Sequence, residues 1–287
     1  MLKVTVKNGE KTLPLDRSQG ISLLEVSGLE PVKAQITTQQ NVGMSGLSVQ
    51  NRALAGRTIT IQLAIEGIAP QEVRRKIYEI ATPMSAVDVL IDADGRHYKA
   101  SGYVENLQAT TWAILQRIQL DFLCPGPYLE APESVLVMGS NTQKKFSFPF
   151  HTDKNSTDVL YFGEKLATVR AVIQYKGEVQ TGAIFTIIAN SDLKNPKITN
   201  LSTGEVMGIT GTLEQGADLI ISTEHGKKSL TLRNRATGEE LNALKYKDAV
   251  FDWCELVHGE NIFILQAESG VQSSIFTVEY TERYVGV

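Results

Sequence analysis

The histidines and cysteines of this sequence, which could act as nucleophiles, bases or metal ligands, are too widely spaced to form a known catalytic motif. Cys124 and Cys254 stand 130 residues apart, and the chain has no further cysteine near either. This spacing fits no zinc or redox motif and predicts buried free thiols in a reducing compartment. The four histidines are His97, His151, His225 and His258. They lie in four different predicted turns or strand ends, and none is part of an H-E-x-x-H or H-x-H pattern.

Three short patterns look like functional motifs but lack part of the required chemistry. Cys254 and His258 are four residues apart, yet their surroundings indicate a loop entering a strand, which disfavours a thiol–imidazole pair. The run Asp92–Gly95 starts like a calcium loop, but Ser101 stands where the bidentate glutamate should be, so a turn is predicted. The run Gly208–Gly211 lies inside a strand pattern and is not a phosphate-binding loop. The sequence therefore predicts no catalytic, cofactor-binding or metal-binding residue.

Trp253 is the residue most suited to carbohydrate binding, because a sugar can stack its apolar face on an indole ring. Large aromatic residues in β-sandwiches are more often buried in the core, so packing is the primary prediction for Trp253. Carbohydrate binding remains the alternative. A glycoside hydrolase would require two carboxylates facing each other across a cleft, and no motif marks such a pair.

Composition and charge limit the partners of this protein. Its 287 residues are 42% hydrophobic and 21% charged, which is enough apolar sequence to bury a core and excludes general disorder. Residues 1–131 contain 13 basic and 13 acidic side chains, the remainder contains 15 and 19, and the net charge is −4. Neither half has the basic excess that tight nucleic-acid binding requires. No apolar run is long enough to span a membrane, and the alternating Leu2–Val6 predicts no signal peptide.

The first half is predicted to be mainly β with one helix. Asn8-Gly9 between two alternating runs indicates a hairpin, and a second hairpin is predicted about Asp92–Gly95. The helix should cover Pro70–Ala81, with proline in its first turn and apolar residues at helical spacing. The polar segment Gln39–Gly56 is predicted to be a long loop that orders only against a neighbour. The other predicted strands of this half are 21–26, 32–38, 57–66, 103–111 and 114–122.

A proline-rich run, Leu123–Pro132, is predicted to separate two domains. Proline cannot donate a sheet hydrogen bond and makes the preceding residue extended, so its three prolines should end a strand and stiffen the connection. The predicted domains are residues 1–131 and 132–287, each of ordinary domain size. The alternative is that the C-terminal strand, which ends in Tyr284–Val287, returns to pair with an open edge of the first domain. Short strands separated by turns after this run predict a β-sandwich. These strands are 144–150, 168–175, 183–189, 197–201, 205–212, 218–223, 229–233, 262–267 and 274–284.

The order of several short motifs resembles the siphophage distal tail protein family. In the first half the motifs are Arg57–Ile61, Ile65–Gly67, the helix with Arg74-Arg75, the hairpin Asp92–Tyr98, Gly102–Asn106 and Phe122–Tyr128. In the second half they are Leu213–Ser222, Phe251–Leu256, His258–Asn261 and Val278–Val287. The resemblance covers nearly the whole chain, and the order of the motifs carries it rather than any one of them.

This resemblance implies a structural virion protein rather than an enzyme. The N-terminal domain would form a hexameric hub ring at the distal end of the tail, and the C-terminal domain would be an outward galectin-like β-sandwich. The ring would join the tail tube to the tail tip or baseplate and let DNA pass during ejection. Implied partners are the tail tube, tape-measure, tail-associated lysin or spike, and receptor-binding proteins, after synthesis in the bacterial host cytoplasm. The runner-up function is a carbohydrate-binding adhesin of the tail tip that contacts the host cell wall.

Overall fold

A computed structural model describes residues 2–41, 43, 45–67, 69–110, 115–144 and 163–287. It divides into two compact units, Met1–Glu133 together with Arg283–Val287, and Ser134–Glu282. The elements of the first unit are β1 (Lys3–Asn8), β2 (Lys11–Pro14), a 3-10 turn (Arg17–Gln19), β3 (Ile21–Ser27), β4 (Ala34–Gln39), β5 (Ser48–Leu54), β6 (Arg57–Ile65), α1 (Pro70–Ile80), β7 (Ala86–Ala93), β8 (Arg96–Ala109), β9 (Arg117–Cys124) and β10 (Leu129–Glu130).

The elements of the second unit are short strands and two 3-10 turns. They are β11 (Val135–Met138), β12 (Ser140–Lys144), β13 (Gly163–Tyr175), β14 (Ala183–Ile188), β15 (Leu193–Lys194), β16 (Lys197–Asn200), β17 (Val206–Gly208), β18 (Thr212–Leu213), β19 (Ala217–Ser222), β20 (Ser229–Asn234), β21 (Glu240–Asn242), a 3-10 turn (Leu244–Tyr246), β22 (Gly259–Gln266), a 3-10 turn (Val271–Ser273) and β23 (Ile275–Tyr280). The chain ends with β24 (Arg283–Tyr284), which lies in the first unit.

The first unit is one antiparallel sheet with a helix packed on its apolar face. The strand order is β2-β1-β7-β8-β9-β6-β3, and β10 pairs with both β8 and β24. Alternate residues of these strands, such as Ile61 and Leu120, are fully buried, and Ile77 and Ile80 of α1 join the same core. The predicted helix is confirmed. Pro70 stands in its first turn, where a missing backbone N–H is tolerated.

Both predicted hairpins of the first unit are present. Asn8 pairs with Lys11 across the first turn, and Ala93 pairs with Arg96 across the second. Asp94 and Gly95 have φ angles of 50° and 79°, the positive values that a tight two-residue hairpin turn needs. Asp92–Gly95 is therefore a turn, as the sequence predicted.

The predicted loop Gln39–Gly56 is wrong in its second half. Residues Ser48–Leu54 form β5, which pairs antiparallel with β4 as a separate two-stranded ribbon. Strand β5 was not predicted because the register of its pairing with β4 shifts between Thr37 and Thr38. The shift leaves Gln50 with no residue directly opposite it on β4. Such a bulge breaks the two-residue alternation by which strands are predicted. The second strand of the predicted Asp92–Gly95 hairpin and the predicted strand 103–111 are also a single strand, β8, with a bulge between Val104 and Asn106.

The second unit is a β-sandwich. One sheet has the order β11-β23-β14-β19-β20-β21, the other has the order β12-β13-β22-β16-β17, and β15 pairs with β18. Phe185 from the first sheet lies 5.0 Å from Phe263 of the second, measured between ring centroids, and all three rings Phe185, Phe263 and Phe276 are fully buried. Both sheets thus contribute to one core. The predicted strand 144–150 lies outside the described residues, apart from Lys144.

The predicted end of the second domain is wrong, because the predicted strand 274–284 is two strands in two different sheets. Strand β23 pairs with β14 in the sandwich, whereas Tyr284 of β24 pairs with Leu129 in the first unit. The chain leaves the sandwich after Tyr280, and Tyr284 has only 9% of its surface exposed within the core of the first unit. The last five residues therefore belong to the N-terminal unit, whereas the sequence assigned them to 132–287.

Candidate functional surfaces

The surroundings of Cys124, Cys254 and His258 do not favour a catalytic role for any of them. Burial raises the pKa of the Cys124 thiol to about 11 and that of the Cys254 thiol to about 12. A thiol with so high a pKa is a poor nucleophile at neutral pH. Nδ1 of His258 instead contacts the carbonyl oxygen of Gly177 at 2.9 Å. No cluster of three or more potential metal ligands exists in the part of the chain that the structure describes.

The two other histidines that the structure describes, His97 and His225, show no catalytic arrangement. His97 contacts the carboxylate of Asp92 across the exposed hairpin turn. His225 lies in the turn after β19, and His151 lies outside the described residues. No described helix is long and apolar enough to cross a membrane.

The ribbon formed by β4 and β5 has an apolar face that is exposed to solvent. Its register places Ile36 opposite Arg52, Leu54 opposite Ala34, and Val49 opposite Thr38. Residues paired across the two strands lie on the same face, and the bulge at Gln50 brings Val49 onto the face of Leu54 and Ile36. The exposed fractions of Ile36, Val49 and Leu54 are 56%, 55% and 41%, and Arg52 and Thr38 lie on this mainly apolar face with them. The opposite face carries polar residues from both strands, among them Gln35, Thr37, Gln39, Ser48 and Asn51. The ribbon is amphipathic, and its apolar face is uncovered.

Arg57, at the start of β6, is buried with an exposed fraction of only 2%. Its guanidinium donates hydrogen bonds to three backbone carbonyls: Gly28 at 2.8 Å, Pro127 at 3.0 Å and Val285 at 2.7 Å. Burial lowers the pKa of Arg57, which is the direction that loss of water around a cation produces. This side chain ties three chain segments together in the first unit. Arg57 alternates in phase with Ile59 and Ile61 along β6, which places it on the core face. The same spacing in the sequence could have predicted that Arg57 is buried.

A polar network lies on the other face of the same sheet, around the Asp121 carboxylate. Thr60 donates to Oδ1 at 2.8 Å, Asn106 donates to Oδ2 at 3.0 Å, and Gln119 donates to Oδ1 at 3.1 Å. These side chains come from β6, β8 and β9. The network itself contains no basic group, and Arg117, at the start of β9, lies exposed on the same face beside it.

Trp253 lies at the surface of the sandwich core and is partly buried. Its ring meets Phe251 edge-on, with 5.1 Å between centroids, and the Nζ atom of Lys228 lies 5.9 Å from the Trp253 ring. Both surroundings are consistent with packing, and they leave less ring surface for a sugar than a free indole would offer. The effect of replacing Trp253 stays a prediction.

A cleft borders the turn that carries Tyr246, at the β20–β21 end of the sandwich. Its volume is about 350 Å³, and its lining includes Leu213, Leu232, Glu214 and Glu239. No motif in the sequence marked this site, because its residues come from four separate turns and strands.

Comparison with known proteins gives a consistent result. Residues 176–284 match the family model described as the siphovirus-type tail component, C-terminal domain. No curated protein matches the chain. Among solved structures, the chain is similar to the SPP1 Dit (gp 19.1) protein, described as a paradigm of the hub adsorption apparatus in phages that infect Gram-positive bacteria. The identity is 13%, the TM-score is 0.64, and the match covers 98% of this chain and 99% of that one.

Two further similar chains come from the phage P2 baseplate in its activated conformation. The structure with Ca has 10% identity, a TM-score of 0.48 and coverage of 97% of this chain and 98% of that one. The structure with Sr has 11% identity, the same TM-score and coverage of 98% of each chain.

The SPP1 Dit match confirms the predicted fold class, mainly β with one helix in the first half and a galectin-like β-sandwich in the second. The family model independently covers most of the sandwich. Residues 176–284 match the siphovirus-type tail component family, and nearly the whole chain shares its fold with SPP1 Dit; both findings support the resemblance of this chain to siphophage distal tail proteins.

Proposed function

We propose that this protein closes into a homo-hexameric ring at the distal end of the tail, joins the tail tube to the tail tip and lets DNA pass through its centre. The observation that carries the proposal is the β4–β5 ribbon, whose apolar face is exposed in the single chain. Further support comes from the description of the SPP1 Dit relative as a hub.

A two-stranded ribbon with an exposed apolar face requires a partner surface. Isolated two-stranded ribbons are marginally stable in water, and three large apolar side chains on one face favour burial. A second copy of the chain supplies such a surface in every subunit of a ring. Because the ribbon would pack on a different patch of its neighbour, the contact is heterologous, and heterologous contacts that close produce rings. The six-fold order rests on the resemblance to distal tail proteins.

The passage of DNA is supported by the charge of the first unit. A conduit with strong phosphate contacts would hold its cargo, since each neutralised phosphate adds to the affinity. Residues 1–131 have equal numbers of basic and acidic side chains. The network around Asp121, with Thr60, Asn106 and Gln119, has the neutral and acidic character that suits a lumen.

The remaining parts of the proposal concern partners and location. The ring would contact the tail tube and tape-measure proteins on one side and the tail-associated lysin or spike and receptor-binding proteins on the other. The sandwich of residues 134–282 would face outward. The protein would be made in the cytoplasm of the bacterial host and incorporated into the virion at the tail tip.

The ribbon can be tested by charge substitutions on its two faces. Ile36→Asp with Val49→Asp places two charges on the apolar face, and we expect light scattering to show monomers where the unmodified protein forms closed oligomers. Gln35→Asp with Asn51→Asp places the same charges on the polar face and should leave the oligomer intact. If the first pair left the oligomer unchanged, the ribbon would not be the ring contact.

A further inference from the structure

The cleft beside Tyr246 has the composition of a small-molecule site. Its volume of about 350 Å³ falls in the range of ligand pockets. Its floor is apolar: Ile209 and Leu213 are buried, and Leu232 is partly buried. Tyr246 borders the cleft with 42% of its surface exposed, and because Nζ of Lys245 lies over one face of its ring, the other face is the one that a ligand could contact. An apolar floor with an aromatic wall favours a ligand that has an apolar face of its own.

The position of Tyr246 is fixed by its backbone. The N–H of Thr210 donates to the carbonyl oxygen of Tyr246 at 2.8 Å, and the N–H of Tyr246 donates to Ala243 at 2.9 Å. Ile209 and Lys247 form a β-bridge next to these bonds. The aromatic ring is thus carried by a well-anchored 3-10 turn, which lowers the entropy lost when a ligand stacks against it.

The polar lining of the cleft combines two carboxylates with two threonines, Asn234 and Arg233. Glu214 and Glu239 both line the cleft, and both are exposed. The backbone of Glu239 is anchored in its turn, because its carbonyl oxygen accepts the N–H of Asn234 at 2.9 Å and its N–H donates to Oγ1 of Thr237 at 3.3 Å. Two carboxylates on the rim can accept hydrogen bonds from ligand hydroxyl groups.

The cationic groups near the cleft are already engaged. Nη2 of Arg233 contacts Oδ2 of the buried Asp218 at 2.9 Å, and Nζ of Lys245 lies 4.8 Å from the centroid of the Tyr246 ring. Arg233 lines the cleft with 42% of its side chain exposed, but Asp218 balances its charge, so Glu214 and Glu239 leave the cleft with an excess of negative charge. Anionic ligands are disfavoured by this arrangement, since they would meet like charges on the rim.

We propose that this cleft binds one neutral hexopyranose unit of a glycan. A pyranose ring has an apolar C–H face that matches Tyr246 and the floor, and a periphery of hydroxyl groups that can donate to Glu214 and Glu239. The site lies apart from Trp253, the residue that the sequence indicated for sugar binding. This proposal does not depend on the proposed homo-hexameric ring of subunits. If one of the two proposals fails its test, the other is unaffected.

Saturation-transfer NMR on the full-length protein tests this site, with methyl glucoside, methyl galactoside and N-acetylglucosamine as probes at millimolar concentration. We expect at least one of them to receive saturation at its ring C–H protons, and glucuronate to receive less. Tyr246→Ala should weaken binding about tenfold, whereas Tyr246→Phe should retain it. Glu214→Gln and Glu239→Gln should each weaken binding and leave the melting temperature unchanged.

Tyr78→Ala is the matched control, because Tyr78 is a similarly exposed tyrosine on α1, in the other unit. It should bind the sugars as the unmodified protein does. The proposal is overturned if none of the three neutral sugars receives saturation, if glucuronate binds as well as they do, or if a folded Tyr246→Ala protein binds them with unchanged affinity.

Discussion

The Nη2 atom of Arg57 donates a hydrogen bond of 2.7 Å to the carbonyl oxygen of Val285, which joins two residues 228 positions apart. The same guanidinium also binds the carbonyls of Gly28 and Pro127. One buried cation therefore holds the end of the chain, the proline-rich run and the turn after β3 in a fixed arrangement within the first unit.

Replacing Arg57 should destabilise the first unit strongly. Arg57→Ala leaves three backbone carbonyls without their donor, and an unsatisfied buried acceptor costs about 1 to 3 kcal/mol. We expect a loss of about 3 kcal/mol or more in the free energy of unfolding, measured by denaturant titration. Arg57→Lys should recover only part of it, because an ammonium cannot span three acceptors. Arg75→Ala, on the exposed face of α1, should change the free energy by less than about 0.5 kcal/mol.

Removing residues 283–287 should weaken the first unit and spare the second. Tyr284 is buried against Tyr98, with 5.1 Å between ring centroids, and the N–H of Val287 donates to Leu29 at 3.1 Å. Hydrogen-exchange mass spectrometry of the truncated protein should show faster exchange in β8 and β10 and unchanged exchange in β14 and β19.

The contacts of residues 283–287 with the first unit also predict how separate fragments behave. A fragment of residues 1–133 should be unstable alone, and a peptide of residues 281–287 should restore it in part. The fragment 134–282 should fold as a monomeric sandwich with a cooperative melt. If the fragment 1–133 alone were as stable as the first unit of the full chain, β24 would contribute nothing to its folding.

Trp253→Ala should cost less than the replacement of a fully buried indole. Full burial would give about 3 to 5 kcal/mol, but Trp253 is only partly buried, so we expect about 2 kcal/mol in the free energy of unfolding. Binding of intact cell walls should be unaffected once the protein is folded. A variant with an unchanged melting temperature and no wall binding would instead favour the adhesin function centred on Trp253.

The two thiols should make stability fall at alkaline pH. Burial raises the pKa of Cys124 and Cys254 from 9.0 to about 11 and about 12 in the folded protein. Below pH 9.0 both states keep the thiol protons, so their contribution to stability is complete. As the pH rises from 9.0 towards 12, the unfolded chain loses protons that the folded chain retains, and stability decreases. A Cys124→Ala, Cys254→Ala double variant should lose less stability over this range.

Thiol labelling gives an independent measurement of the same burial. At pH 8 the native protein should react very slowly with a disulfide reagent, and both thiols should react at once after unfolding. Rapid reaction of either thiol in the native protein would contradict its burial.

The parts of the fold that sequence reasoning predicted have local signals. Asn8-Gly9, Asp94-Gly95 and Pro70 each impose a backbone conformation through their own chemistry, so the hairpins and the helix could be placed. Strand β4 corresponds to the predicted strand 32–38, whereas β5 has no such signal, since the bulge at Gln50 hides its alternation. The return of β24 could be named only as an alternative, because strand pairing is a long-range property that residues 274–284 do not encode locally.

The candidate surfaces were harder to predict than the elements. The apolar face of the ribbon is a property of the register between two strands, and the Tyr246 cleft joins residues from several turns. Neither is visible as a spacing along the chain. Arg57 was accessible in principle, because strict alternation in β6 places it beside Ile59 on the buried face.

Electron microscopy of the purified full-length protein tests the central claim, that this chain is a ring-forming hub. Class averages should show closed rings with six-fold symmetry and an open centre, and the Ile36→Asp, Val49→Asp variant should show single particles of monomer size. Class averages that contain only monomers, together with light scattering at the monomer mass for the unmodified protein, would contradict the claim.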